Sequence, residues 1–133
     1  MQTPNSGERR LTELDFTRLK KLAARGALPQ LEDILDEADV MPAQAIPADV
    51  VTMYAQFIVR DLKLQRRQVL VVCYPADAEP AKGYISVCSP AGMALIGLPV
   101  GAIAKWAGPG GEESLAWIEG VLFQPEATGD YVT

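Results

Sequence analysis

Histidine is absent from the 133 residues. Ser/His/Asp triads, Cys/His dyads, His-ligated zinc and phosphohistidine chemistry are therefore excluded. Cysteine is scarce: Cys73 and Cys88 are too few for a disulfide scaffold and too far apart for a close metal pair. Both sit in apolar, strand-like runs, which suits buried reduced thiols and leaves a disulfide between neighbouring strands as the alternative. Positive charge is also short, with 12 basic against 17 acidic residues and a net charge of −5. A chain devoted to duplex DNA needs clustered cations to neutralise phosphates, so that class is disfavoured. The longest uncharged stretch, Gly83 to Ala104, contains Pro90, Pro99 and four glycines. The prolines, glycines and serines break it up, so it offers no continuous apolar run of the ~20 residues that a membrane span requires. Met1 to Arg10 is polar and lacks the apolar segment of a secretory signal. These features lead us to expect a soluble, cytoplasmic protein.

The ordinary balance of 49% hydrophobic and 22% charged residues fits one globular domain with at most an appendage. Composition changes near residue 41. Fourteen of the 29 charged residues lie before that point, whereas ten of the 11 valines lie beyond residue 41. Helix formers thus precede β-branched residues. The expected fold is α+β: a short N-terminal antiparallel helical hairpin over 11–41, a hinge over 42–49, and a mainly antiparallel sheet domain with one helix over 50–133. Thr12-x-x-Asp15 forms a capping-box variant at the start of the first helix, and Gly26 supplies its C-cap. Pro29 opens the second helix, whose Leu28, Leu31, Leu35 and Ala38 form a one-sided seam. Strands are expected over Val50–Tyr54, Phe57–Arg60, Gln68–Tyr74, Tyr84–Cys88, Ile103–Trp106 and Leu115–Phe123. The last of these alternates poorly, as a bulged or doubly buried strand would. Ser89 caps a third helix, with Pro90 at its first position and Gly97 ending it.

Few residues suggest chemistry. Glu32, Asp33, Asp36, Glu37 and Asp39 crowd the second helix, with like-charge pairs at i, i+4. Three of them lie near its C-terminus, where the helix dipole disfavours anions. A solvated face opposite the basic first arm explains this pattern; the alternatives are a docking face for a basic groove and a metal site. Gly108-Pro109-Gly110-Gly111 lacks the Lys-Ser/Thr of a phosphate loop and reads as a tight turn. Tyr74, Tyr84, Trp106, Trp117 and Phe123 read as core rather than as a base-stacking platform. No nucleophile has an evident base, and no cofactor motif is visible. The residues alone describe a binding module with a helical prong.

The block Ile85-Ser86-Val87-Cys88-Ser89-Pro90-Ala91-Gly92-Met93-Ala94-Leu95-Ile96-Gly97, followed by Val100-Gly101 and Pro109-x-Gly111, resembles the C-terminal domain of Gre-type transcript cleavage factors, which has an FKBP-like fold. Pro47-x-Asp49-Val50-Val51-Thr52-Met53, Tyr74-Pro75-Ala76 and Gln124-Pro125-Glu126-Ala127-x-Gly129-Asp130-Tyr131 resemble the Rnk family, the regulators of nucleoside diphosphate kinase. The likeness covers about residues 11 to 133. It implies binding to RNA polymerase at the rim of the secondary channel, in competition with Gre-type factors, and an indirect effect on the kinase. It places Ser89 and Pro90 in the docking surface, with Asp36, Glu37, Asp39 and the tip residue Arg25 as further candidate contacts. Cys88 stands where cleavage factors often carry an acid, and Gly101-Ala102 where they often carry Gly-Asp.

Cleavage factors also bear a longer coiled coil with acidic residues at its tip. Here the tip is Ala24-Arg25-Gly26-Ala27-Leu28-Pro29, which carries no carboxylate to hold a catalytic metal. The expectation is a non-enzymatic factor that does not stimulate transcript cleavage. Competing readings are an FKBP-like prolyl isomerase and a self-associating scaffold.

Overall fold

A computed structural model describes residues 9–131. In chain order these form β1 (Arg10–Thr12), α1 (Glu13–Gly26), α2 (Pro29–Glu37), β2 (Asp39–Met41), β3 (Gln56–Asp61), β4 (Arg66–Cys73), β5 (Tyr84–Ser86), α3 (Pro90–Leu95), β6 (Ile103–Ala107) and β7 (Glu113–Phe123). Short 3₁₀ turns occupy Ala43–Ala45, Pro75–Asp77, Pro80–Lys82 and Glu126–Thr128.

Thr12 starts α1 by accepting the Asp15 N–H on its Oγ1 at 3.0 Å. The helix buries Leu19 and Ala23, spaced one turn apart on a single face. Its end departs from expectation. Gly26 is still helical, and Ala27 takes the left-handed position with φ 50°. The chain can do this because the N–H groups of Ala27 and Leu28 reach the carbonyls of Ala24 and Ala23. Those bonds satisfy carbonyls at the helix end and offset part of the steric cost of a non-glycine residue there. Pro29 then opens α2, whose Leu31 and Leu35 are buried. Lys20 Nζ meets Asp36 Oδ1 at 2.9 Å, so α2 runs back alongside α1.

β1 and β2 pair in parallel, Arg10 with Asp39 and Thr12 with Met41. Arg10 N–H also donates to Gly97 O, fixing this ribbon to the end of α3. Residues 42–49, read from sequence as a hinge, include the Ala43–Ala45 turn and a buried Ile46. Gln124 Nε2 donates to Pro47 O and Val50 O, which ties the following residues to the end of β7.

The main sheet has the order β5-β4-β3-β7-β6. Its pairings are antiparallel except for β4 with β5. Register shifts at Gln56/Phe57 and Ile58/Val59 mark bulges between β3 and β7, which explains the weak alternation of the last strand. One face carries Phe57, Val59, Leu70, Val72, Ala104, Ala116 and Ile118 into the core. Leu95 and Ile96 from around α3, and Leu19, Ala23, Leu31 and Leu35 from α1 and α2, belong to the same buried cluster. Each fully buried leucine or phenylalanine contributes on the order of 1.5–3 kcal/mol, so the helices and the sheet are stabilised together. The opposite face holds the rung Ile103–Trp117–Arg60–Arg67. There Glu119 accepts from Arg67 Nε at 2.9 Å and from Arg60 Nε at 3.4 Å.

Val50–Tyr54 is not a strand. Its residues are largely buried, but their donors find scattered partners: Val51 N–H goes to Leu98 O, Met53 N–H to Asp15 Oδ2 and Tyr54 N–H to Val72 O. Tyr54 has φ 65°, which breaks any extended ladder. β-Branched composition reported burial here, not pairing.

Candidate partner-binding site

Ser89 is the N-cap of α3. Its Oγ accepts the Gly92 N–H at 3.1 Å and donates to Ser86 O at 2.6 Å. Ser86 Oγ in turn accepts the Cys88 N–H at 3.0 Å. Both hydrogen-bonding roles of the Ser89 hydroxyl are thus used to hold the turn, and Pro90 follows at the exposed first position of the helix. Gly92 makes this close approach possible, because a Cβ there would lie 2.0 Å from Ser86 O. The Ser-Pro-x-Gly spacing is therefore a backbone requirement: a cap, a pre-set φ, and a residue without a side chain.

The other end of α3 is held by Arg9. Its guanidinium is buried and donates to Ala94 O at 3.2 Å and Ile96 O at 2.6 Å. A cation at the carbonyl end of a helix opposes its dipole. Desolvation lowers the Arg9 pKa to about 10, and the neighbouring Glu37 carboxylate works against that shift. Arg9 remains charged at neutral pH.

Between α2, α3 and β6 runs a groove with a cavity of about 370 Å³, lined in part by Ile34, Glu37, Pro90, Met93 and Trp106. Of the residues singled out from sequence, Pro90 and Glu37 are brought together here. Ser89 lines the adjoining depression with Pro90 and Trp106. Asp36 points elsewhere, to Lys20. Asp39 is exposed on β2. Arg25, in the last turn of α1, lines a different depression with Arg18, Lys21, Leu22 and Tyr74. Sequence reasoning missed Ile34, Met93 and Trp106 as groove residues because their apolar spacing reads equally well as core.

Asp15 was read as half of a capping box. Its backbone N–H does bond Thr12, but its carboxylate turns inward and accepts the Met53 N–H at 3.3 Å. Only 1% of Asp15 is exposed. Burial raises its pKa to about 7; the Met53 N–H opposes that rise, Glu126 adds to it, and Arg18 and Thr12 oppose it. Cys73 is buried and Cys88 half-buried, and both thiols are free. Gly108–Gly111 is a tight turn joining β6 to β7, with Gly111 N–H on Gly108 O and Gly108 N–H on Glu112 O. Among the described residues no group of three or more Cys, Asp or Glu side chains is placed to hold a metal ion. No described helix is long and apolar enough to cross a membrane.

Comparison with known proteins decides the family. Residues 46–119 match the family model described as transcription elongation factor, GreA/GreB, C-term. The regulator of nucleoside diphosphate kinase of Escherichia coli K12 is 37% identical over 128 residues, covering 92% of this chain and 94% of that protein. The chain belongs to the Rnk family of GreA/GreB-type proteins. Its likeness to the elongation-factor relatives is more distant. The transcription elongation factor GreA of Clostridium botulinum is 30% identical over 100 residues, or 75% of this chain and 62% of that one. A solved structure described as a prokaryotic transcription elongation factor GreA/GreB from Nitrosomonas europaea superposes with TM-score 0.73 at 31% identity, covering 87% of this chain and 98% of that chain. These Rnk and Gre relatives carry the names of regulators and transcription factors, not of enzymes. The prolyl isomerase reading finds no support in them.

Proposed function

We propose that this Rnk-family protein binds RNA polymerase at the rim of the secondary channel and competes there with Gre-type factors without stimulating transcript cleavage. Ser89 and Pro90 dock on the polymerase, and Glu37 lies beside them. Asp36, Asp39 and Arg25 are contacts of the helical part. The effect on nucleoside diphosphate kinase is indirect, through transcription in the cytoplasm. The single observation that carries this reading is the capped Ser89-Pro90 turn standing at the lip of an apolar groove, in a chain of this family.

The absence of cleavage follows from length and charge. α1 has 14 residues and α2 has nine, so the longer arm extends only ~21 Å at 1.5 Å per residue. The connection Ala24–Pro29 contains no carboxylate, and a divalent cation needs oxygen ligands at the point of reach. Retention on immobilised core polymerase, combined with a photocrosslinker at Arg25, tests both partner and insertion depth. Retention with crosslinks to the channel rim is expected; failure of core polymerase to retain the protein ends the proposal.

A further inference from the structure

The face of the main sheet turned away from the core is not built for water alone. An antiparallel sheet with one solvated side ordinarily alternates apolar-in and polar-out. Here Trp117, Val69 and Phe123 stand 39%, 43% and 46% exposed on the outer side, with Ile103 and Tyr84 on the flanking strands. Trp117, Tyr84 and Phe123 read as core from sequence, yet strand pairing turns all three outward. A continuous exposed apolar face of this kind marks an interaction site.

Strand register determines what fits it. Three rungs cross the centre of the face: Val71–Gln56–Phe123, Val69–Ile58–Gly120 and Arg67–Arg60–Trp117. β3 lies in the middle, with β4 on one side and β7 on the other. When two copies lie face to face, a two-fold axis running along β3 sets β4 of one copy over β7 of the other, rung by rung. Val69 of one copy then meets Gly120 of the other, where a Cβ would have nothing within 4 Å. Arg67 of one copy meets Trp117 of the other, a cation over an indole ring. Glu119 holds Arg67 through Nε, which leaves the flat of the guanidinium available for stacking. The two Arg60 groups approach each other near the axis, and each keeps its own Glu119 at 3.4 Å to offset the repulsion. The ~30° turn between aligned packed sheets moves these partners little so close to the axis. Large meets small and cation meets ring, so the face complements itself.

Its size is sufficient as well. Each strand residue covers ~16 Å² of sheet, from ~3.4 Å along the strand and ~4.8 Å across, so the five strands present about 500 Å² in projection. Specific interfaces begin at ~600 Å² per partner, and the protruding tryptophan and arginine stems raise the accessible area of this face toward that figure. A dimer at this lower limit dissociates at micromolar concentration.

We infer that the outer face of the main sheet joins two copies of this chain in a two-fold, face-to-face dimer, with Val69 seated over Gly120 and Arg67 stacked on Trp117 across the axis. This goes beyond the polymerase reading and does not rest on it, because α3 packs on the core side of the sheet with the Ser89-Pro90 turn at its start.

Sedimentation velocity of the full chain, from low to several hundred micromolar, tests the dimer in wild type, Trp117→Ala, Gly120→Lys and Leu64→Ala. Leu64, an exposed leucine in the turn between β3 and β4, lies outside the rungs and serves as the control. The wild type is expected to pass from monomer to dimer with rising concentration. Trp117→Ala should weaken the dimer at least tenfold, Gly120→Lys should remain monomeric throughout, and Leu64→Ala should match the wild type within twofold. The Gly120→Lys side chain enters open space in the monomer, so this variant keeps the test valid should Trp117→Ala fold poorly; circular dichroism monitors both. A wild type that stays monomeric leaves the face to a different partner and overturns the proposal. Wild-type association by folded Trp117→Ala or Gly120→Lys, equal weakening by Leu64→Ala, or assembly beyond a dimer would overturn it too. Retention on core polymerase is read separately, so loss of either reading leaves the other standing.

Discussion

Asp15→Asn separates the cost of a buried charge from the value of the hydrogen bond that accompanies it. The Asp15 carboxyl titrates near 7 in the folded chain, against 3.8 for the ordinary side chain, chiefly because burial disfavours the anion. Below pH ~4 the group is protonated in both states and has no effect. Between about 4 and 7 the unfolded chain releases a proton that the folded chain still holds, so stability falls as pH rises. Above about 7 both states are ionised and the penalty is complete. A shift of about three units at ~1.4 kcal/mol each gives a penalty of up to about 4 kcal/mol. Asparagine keeps an oxygen for the Met53 N–H but cannot ionise. Its amide hydrogens need partners, a cost of about 1 kcal/mol at every pH. Urea denaturation of both proteins from pH 4 to pH 8 should show Asp15→Asn near or slightly below wild type at pH 4. At pH 8 it should be more stable by up to about 3 kcal/mol. A stability difference that stays constant across this range would refute the assignment of a buried, reluctant carboxylate.

Further substitutions probe the turn, the cap and the surface. Gly92→Ala should abolish the ordered start of α3, because its Cβ would meet the Ser86 carbonyl; loss of several kcal/mol of stability in denaturant melts is expected. Ala27→Gly should stabilise by about 1 kcal/mol, since the residue sits at positive φ. Gly26→Ala should also stabilise, by up to about 1 kcal/mol, as the nearest atom to its Cβ is a Leu28 methyl at 3.4 Å. Lys20→Ala should change thermal stability by less than about 0.5 kcal/mol, because the Lys20–Asp36 pair is solvent-exposed.

Much of this fold was legible because local chemistry and tertiary structure agree. Thr12 and Ser89 cap helices as their hydroxyls predict, and Pro29 and Pro90 open helices where a missing N–H costs nothing. Strand cores around Phe57–Arg60, Gln68–Cys73 and Ile103–Trp106 follow from composition. β1 and β2 were invisible. Three-residue strands carry no periodicity, and their parallel pairing exists only because α1 and α2 bring their outer ends together. Val50–Tyr54 misled for the opposite reason: a run buried on all sides is as apolar as a central strand, yet its amides bond to a carboxylate and to scattered carbonyls.

The site divides along the same line. The Ser89 cap and Pro90 start are local and could be read directly, whereas the need for Gly92 shows only in its approach to the Ser86 carbonyl. Glu37 was singled out as part of an acidic excess, but its position beside Pro90 depends on how α2 packs against α3. Trp106 and Ile34 looked like core residues because an apolar wall and an apolar interior share one periodicity. Asp15 carried no warning at all; only the fold reveals that its side chain faces inward.

The most direct measurement of the central claim uses stalled elongation complexes containing backtracked RNA, to which a Gre factor and increasing amounts of this protein are added. Dose-dependent suppression of Gre-stimulated transcript shortening, with no shortening by this protein alone, is the predicted result. Undiminished Gre activity at saturating protein, or shortened RNA in the absence of any Gre factor, would contradict it.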